Sequence, residues 1–262
     1  MKKKLLELIF LSEKRKNLLL FLKEGPKTIE DIRSALDVSS VAILPQIKKL
    51  RERNLVLKDG DIYRLSPLGR SIAGRMKDMV GVLRVFGNNY NYWSRHAIEC
   101  IPLHLLKRID ELGECTFSEP PDRTHLFEPH REFVENISRS SCLWGTASIF
   151  HPLYPILFLN FAKSGMKVSI LVTDSVFDRI REEYRAELSA FIDMETSHFY
   201  VCRENLELSH VVTDRFFSLS LPFHDGTFDH KEDVLCFGPS ALNWGKELFA
   251  YYRDRSEEIT EI

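Results

Sequence analysis

Between Thr28 and Leu65 the chain strings together elements too short to stand alone, and their order limits the folds open to it. Thr28 precedes Asp31 by three residues, the spacing of a helix N-terminal cap. The helix it opens is expected to bury Ile29, Ile32, Ala35 and Leu36. "DVS" makes a turn, and Ser39 is placed to cap a second helix. At about 100° per residue from Ile43, Ile47 falls near ~40° and Leu50 near ~340°, which makes one core stripe. Pro45 falls near ~200°, on the opposite side. A proline inside a helix removes a hydrogen bond and costs ~3 kcal/mol, so a short first turn and a main helix starting near Leu44 are expected. Beyond Asn54, Leu55–Leu57 and Ile62–Leu65 flank "KDGD", a hairpin signal. Ser66-Pro67 then restarts a helix.

Helix, turn, helix and hairpin in this order make a winged helix, with Lys58 and Arg64 on or beside the wing. Charge supports a polyanionic partner for this part. Residues 1–75 hold 17 Lys+Arg against 9 Asp+Glu, while the remainder holds 19 against 29. The overall net charge of −2 hides that asymmetry. The opening "MKKKLLELIFLSEKRK" has a basic and an apolar stretch, but Glu7 interrupts it and no small-residue cleavage site follows. No apolar run approaches the roughly 18 residues of a membrane span, and a cytoplasmic protein without membrane attachment is expected. Five dispersed cysteines without CxxC spacing predict reduced thiols rather than a disulfide framework or a zinc site.

From Met76 the apolar residues Met76, Met79, Leu83, Phe86, Tyr90 and Trp93 are spaced 3, 4, 3, 4 and 3 apart, a heptad-like seam. Such a seam either pairs two copies or packs on the protein's own body. After Trp93 the pattern alternates between helices and strands, with "MKVSILVT" the clearest buried strand. "IPLHLLKRIDEL" and "DSVFDRIREEYRAELSAFI" read as helices, and "GECTFSEPPDRTHLFEP" as a loop. The expected architecture is an α+β winged helix-turn-helix N-terminal domain (1–75) joined by a helix (76–93) to an α/β C-terminal sensor-like domain (94–262).

No catalytic signature stands out. The sequence lacks GxGxxG, a GxxxxGK phosphate loop, HExxH and GxSxG. His104 and Lys107 form HxxK, and His230-Lys231 are adjacent, so neither is an HxK phosphodiesterase pair. No catalytic residue, metal site or cofactor is expected, and the chain is read as a non-enzyme. Ligands of open α/β sheets bind beyond the carboxyl ends of strands. A pocket there would draw on Trp144, His151, Tyr154, Asp174 and Arg215.

Residues 28–65 resemble winged helix-turn-helix regulators of the arsenical-resistance-regulator (ArsR-like) type. The frame V-S-x-x-x-I/V-x-x-x-I/L-K-K-L-R-E-x-x-L-V stands here as "VSSVAILPQIKKLRERNLV", with "LSPLGRSIA" after the wing. Pro45 is similar to the mark of an archaeal subgroup found in methanogens, in which a methanogenesis regulatory protein middle domain follows the winged helix. "IPLHLLKRIDELGE" and "ALNWGKELFAYYRDRSEEI" are similar to the beginning and end of that domain. The resemblance implies an archaeal cytosolic transcription regulator with an effector-sensing domain of undefined ligand.

The expected partners are double-stranded DNA, a second copy of the chain and a small-molecule effector. Lys48, Lys49, Arg51, Arg53, Lys58 and Arg64 would contact phosphates, while Ser39, Ser40 and Gln46 would reach base edges. Val41, Ala42 and Pro45 would meet thymine methyl groups, so specificity is expected to lean to A·T or to DNA shape. The rival readings are a winged-helix protein-interaction module of the transcription machinery, and a nucleotide or phosphoester enzyme.

Overall fold

A capping box starts the first element of the winged helix. In the computed structural model, which describes residues 4–118, 131–229 and 231–262, the Thr28 backbone N–H donates to Asp31 Oδ2 at 2.8 Å. Asp31 N–H returns a bond to Thr28 Oγ1 at 3.2 Å. These bonds hold the Asp31 carboxyl below its usual range, the Thr28 backbone bond first among the causes. The chain separates into two units, Met1–Val80 and Gly81–Ile262.

The first unit runs α1 (Leu5–Phe10), α2 (Glu13–Phe21), β1 (Lys27–Thr28), α3 (Ile29–Leu36), α4 (Ser40–Arg51), β2 (Val56–Asp59), β3 (Ile62–Leu65) and the start of α5 (Pro67–Asn88). Ser12 caps α2 through a bond from Arg15 N–H, where the apolar pattern of the sequence breaks. Asp37, in the left-handed region at φ 47°, closes α3 before the turn into α4. β2 and β3 pair antiparallel with Asp59 opposite Ile62, and Gly60 takes the positive φ that this two-residue connection requires. β1 adds to β3, so the wing sheet has three strands in the order β1-β3-β2. Ile32, Ile43, Ile47, Leu50, Leu55 and Ala73 meet in one core.

Three local expectations change. α4 is continuous through Pro45 rather than restarting near Leu44, because the proline ring lies on the exposed side and only one helical hydrogen bond is lost. Ser39 occupies the N-cap position without a side-chain cap bond. Ala35 is exposed, since α3 enters the core by Ile32, with Ile29 and Leu36 half-buried against it.

The heptad-like seam is not one face. α5 ends at Asn88, and the Asn89 side chain caps a separate helix, α6 (Tyr90–Arg95), by accepting from Tyr92 N–H. Along α5 burial moves from Ala73 and Met76 to Val85. Twelve residues advance a helix about 120° beyond whole turns, so Met79 and Leu83 are left more than half exposed.

The second unit continues with α6, α7 (Leu103–Leu106), β4 (Cys115–Phe117), α8 (Arg131–Ser138), β5 (Cys142–Ala147), α9 (Tyr154–Lys163) and β6 (Lys167–Thr173). It then runs α10 (Asp174–Glu183), α11 (Arg185–Ile192), β7 (Ser197–Cys202), β8 (Ser209–Thr213), β9 (Phe217–Ser220), β10 (Val234–Cys236), α12 (Pro239–Arg253) and β11 (Ser256–Glu258). Eight strands form one sheet in the order β11-β7-β6-β5-β8-β9-β10-β4. β5, β6 and β7 are parallel, and every other pairing is antiparallel. The helices between the parallel strands, α9 and then α10 with α11, cover one face through Phe158, Val176, Ile180 and Phe191. α12 covers the other through Trp244, Leu248 and Phe249. Within β6 the period-two alternation sends Val168, Ile170 and Val172 to the first face and Leu171 to the second.

"IPLHLLKRIDEL" is not one helix: Pro102 precedes a single turn, α7, set between two 3₁₀ turns. The span read as one helix after β6 breaks at Tyr184 into α10 and α11. β4 and β11 are three-residue strands; β4 lies inside the segment read as a loop, most of which is outside the described residues. β4 brings Cys115 opposite Cys236 on β10, their Sγ atoms 2.7 Å apart as thiols. Among the described residues no helix is long and apolar enough to cross a membrane.

Candidate nucleic-acid interface and ligand cavity

The first candidate surface is the face of α4 opposite its core stripe. Ile43, Ile47 and Leu50 are at most 2% exposed, whereas Val41 is 85% exposed. Leu44, Pro45, Lys48 and Lys49 are exposed with it, and Ser39 stands exposed just before the helix. Ser40, Ala42 and Gln46 are half-buried on the flanks, as is Arg53 just beyond the helix. Lys48, Lys49, Arg51 and Arg64 enter no ion pair among the described residues. On the wing, Lys58 Nζ lies 5.6 Å from the Tyr63 ring centroid.

Gln46 is partly occupied already. Arg15 is buried and donates through Nε to the Leu8 carbonyl and through Nη1 to Gln46 Oε1 at 2.6 Å. Bidentate pairing with adenine needs both the oxygen and the nitrogen of the amide, so this bond removes half of the expected readout. Arg15 lies 31 residues upstream, and no local pattern points to it.

Pro45 carries a separable cost. Its ring removes one α4 hydrogen bond while its exposed side chain makes no core contact. Pro45→Ala is expected to stabilise the first unit by about 1–3 kcal/mol, read as a higher thermal midpoint. A lower midpoint would show that the ring supports the helix start.

The second candidate is a cavity of about 400 Å³ in the second unit. Its floor is the sheet face carrying Gly145 and Ala147 of β5, Ile170 of β6, Val211 of β8, and Ser218 and Ser220 of β9. Phe133 of α8, with Tyr154 and Phe158 of α9, walls it, and Asp229 and Asp233 close the far side. It opens at the carboxyl end of β5, as the strand-end rule for α/β sheets predicts.

Of the five residues expected to line such a pocket, His151 and Tyr154 do so, stacked with ring centroids 4.4 Å apart. His151 Nδ1 accepts from Leu153 N–H, which places the ring proton on Nε2. Burial, aided by the negative charge of Asp233, pushes the Tyr154 hydroxyl upward, so it remains a neutral donor. The other three lie elsewhere. Trp144 alternates onto the α12 face, where Lys246 Nζ sits 5.2 Å from its ring. Asp174 starts α10 and pairs with Arg203 at 3.8 Å. Arg215 is exposed in the β8–β9 turn, its N–H bonded to Thr213 Oγ1.

The polar residues at the cavity are not among those the sequence pattern singles out. Asp229 faces the buried His96, its Oδ2 3.2 Å from Nε2, while His96 Nδ1 lies 2.7 Å from the Tyr92 carbonyl. Asp229 also accepts from Lys231 N–H at 2.8 Å. Ser220 Oγ donates to Asp233 Oδ1. One signal is readable: "FSLS" alternates, so both serines share one face while Phe217 and Leu219 share the other. The acidic pair has no such signal, because the loop holding it folds back on the sheet. On the α12 face, His210 and Thr146 sit opposite each other across β8 and β5, both buried, and neither side chain has a hydrogen-bond partner among the described residues.

Comparison with known proteins matches both ends of the chain. The N-terminal-domain model of the methanogenesis regulatory protein FilR1 matches residues 3–84, and the model of its middle domain matches residues 126–255. The methanogenesis regulatory protein FilR1 of Methanothrix harundinacea (strain 6Ac) is 27% identical over 255 residues, 95% of this chain. The chain spans 57% of that relative's length. Among solved structures, the archaeal chromatin protein TrmBL2, described as showing a novel mode of DNA binding, superposes over 95% of each chain with TM-score 0.43 and 11% identity. Nuc of Salmonella typhimurium, a phospholipase D family member, covers 56% of this chain and 99% of its own with TM-score 0.40 and 12% identity. With one family's two domain models matching at both ends, the chain belongs to the family of the methanogenesis regulatory protein FilR1.

Proposed function

We propose that the protein is a DNA-binding transcription regulator, in which the winged helix docks on double-stranded DNA and the second unit binds a small-molecule effector. The observation that carries this reading is the exposed side of α4, which presents Lys48, Lys49 and Arg51 without ion pairs among the described residues. Lysine and arginine on such a face contact phosphates, which position a protein without reading sequence. Val41, Leu44 and Pro45 supply apolar contact for thymine methyl groups, and the engaged Gln46 leaves little direct base readout. Modest, shape-assisted specificity follows.

Binding should therefore weaken steeply with salt. A double variant, Lys48→Ala with Lys49→Ala, is expected to reduce the slope of log affinity against log salt by about 2. Fluorescence anisotropy on the organism's own upstream DNA reads this directly. Val41, 85% exposed at the tip of α4, favours a second reading in which the helix docks on protein. Affinity for DNA that ignores salt would leave that reading standing.

A homodimer is part of the proposal. The support is Met79 and Leu83, one turn apart on α5 and 52% and 56% exposed. Two recognition helices then meet successive major grooves about 34 Å apart. Met79→Glu with Leu83→Glu is expected to halve the mass seen by light scattering, and an unchanged mass moves the interface elsewhere. No catalysis is assigned to the second unit; turnover of a co-purified small molecule would overturn that part.

A further inference from the structure

We propose that Cys115 and Cys236 form a reversible disulfide, a redox-sensitive staple that ties the edge strand β4 to its neighbour β10. The inference stands apart from DNA binding and from the effector reading, since it uses neither α4 nor the cavity.

Register brings the two residues together. β4 and β10 pair antiparallel, with Cys115 directly opposite Cys236. Opposed residues in such a ladder have Cα atoms about 4.5–5.5 Å apart, inside the span that a disulfide bridges. The side chains also point at each other, with the Sγ atoms 2.7 Å apart and both residues buried. Bond formation therefore needs no rearrangement of the backbone ladder. The other three cysteines meet different groups among the described residues. Cys100 donates to Glu207 Oε2 at 2.9 Å, Cys202 donates to the Glu204 carbonyl at 3.9 Å, and Cys142 accepts from Ser141 Oγ at 3.9 Å.

Position decides which thiol reacts first. β4 has three residues and closes one edge of the sheet, where it pairs with β10 alone. So short an edge strand opens at low cost, and opening exposes Cys115. Cys236 lies on β10, between β9 and β4, and is 0% exposed. Its bond with Cys115, and then its burial, push the Cys236 thiol up, so it reacts only once Cys115 has been activated.

The oxidant is a hydroperoxide. Cys115 Sγ attacks its terminal oxygen, the O–O bond breaks, and the alkoxide leaves as an alcohol with the Cys115 proton. Cys236 Sγ then attacks the sulfenic acid left on Cys115. The S–O bond breaks, the S–S bond forms, and water leaves with the Cys236 proton. Two thiols are oxidised, and the hydroperoxide is reduced to an alcohol and water. Exchange with a small-molecule dithiol returns both protein thiols. The bond closes a loop between residues 121 apart in the chain, which confines the unfolded state.

Hydrogen peroxide added to the reduced full chain, followed by intact mass and a non-reducing peptide map, tests this. The expected result is a loss of two hydrogen atoms and one crosslinked peptide pair, holding Cys115 and Cys236. The thermal midpoint should rise by about 5 °C and return on treatment with a phosphine reductant. Cys115→Ala and Cys236→Ala are each expected to lose both changes, and Cys142→Ala to keep them. Circular dichroism checks that each variant folds, and the wild-type peptide map carries the test should a variant fail. A chain that forms no crosslink, gains oxygen at Cys115 in its place, or joins other cysteines overturns the proposal. A Cys115–Cys236 bond that leaves the midpoint unmoved or lower overturns the staple.

Discussion

Acidification below pH 6.5 is expected to destabilise the second unit by on the order of 1 kcal/mol per pH unit through His210 alone. His210 lies on the α12 face of the sheet, enclosed near Phe217 and Phe249, with neither ring nitrogen bonded among the described residues. Burial holds its pKa down to about 3 against an ordinary value of 6.5. The sign follows directly. Below 6.5 the unfolded chain takes up a proton that the folded chain refuses, so stability is fully present above 6.5 and drains as pH falls toward 3. From pH 6.5 to 4.5 the loss is about 2 kcal/mol. Urea unfolding of the wild type and of His210→Leu at pH 7, 5.5 and 4.5 measures it. His210→Leu is expected to be no less stable at pH 7, because it removes two unsatisfied polar atoms from an apolar shell. It is also expected to flatten the acid limb. Parallel pH profiles for the two proteins would contradict the assignment.

Gly69→Ala is expected to destabilise the winged-helix unit by more than about 3 kcal/mol and to abolish DNA binding with it. A Cβ at Gly69 would sit 2.0 Å from the Leu55 carbonyl oxygen and 3.0 Å from its carbon. That neighbour is main chain, and no rotamer change can move it. Both partners are also tied in place. Ser66 N–H donates to the Leu55 carbonyl at 3.0 Å, Ser66 Oγ donates to the Asn54 carbonyl, and Gly69 N–H donates to Ser66 Oγ at 2.9 Å. The start of α5 and the start of the wing therefore share one backbone junction. Gly74→Ala is the control, since open space surrounds a Cβ there. It is expected to raise stability by up to about 1 kcal/mol through helix propensity. Calorimetry that finds the two variants alike would falsify the close-contact account.

Elements whose causes lie within a few residues are legible in the sequence. Thr28 and Asp31 cap α3 because a capping box spans three residues. Ile43, Ile47 and Leu50 form the buried stripe because one helical period sets it. "KDGD" makes a hairpin because glycine accepts the left-handed conformation at its tip. β6 is legible from its apolar run, which is what a strand covered on both faces needs. β1, β4 and β11 are not legible, because two or three residues carry no period and their pairing partners lie far along the chain.

The same divide runs through the candidate sites. The exposed basic face of α4 follows from helical angle alone, which puts Lys48, Lys49 and Pro45 opposite the core stripe. Burial of Gln46 against Arg15 depends on how α2 packs on α4, which no local spacing contains. At the cavity, His151 and Tyr154 follow β5 directly, and the strand-end rule reaches them. Trp144 falls on the opposite face by a single step of strand alternation, and Asp229 and Asp233 arrive from a loop that folds back beside β9. By itself, then, the sequence determined the winged-helix order, the exposed basic side of α4 and the α/β character of the second unit, since propensity, capping and hydrophobic period act over one or two turns. Only the tertiary structure decided which sheet face holds the cavity, which carboxylates line it, and where the seam of α5 turns away from the core. Those outcomes depend on strand register and on contacts between residues far apart in the chain, which a one-dimensional period does not encode.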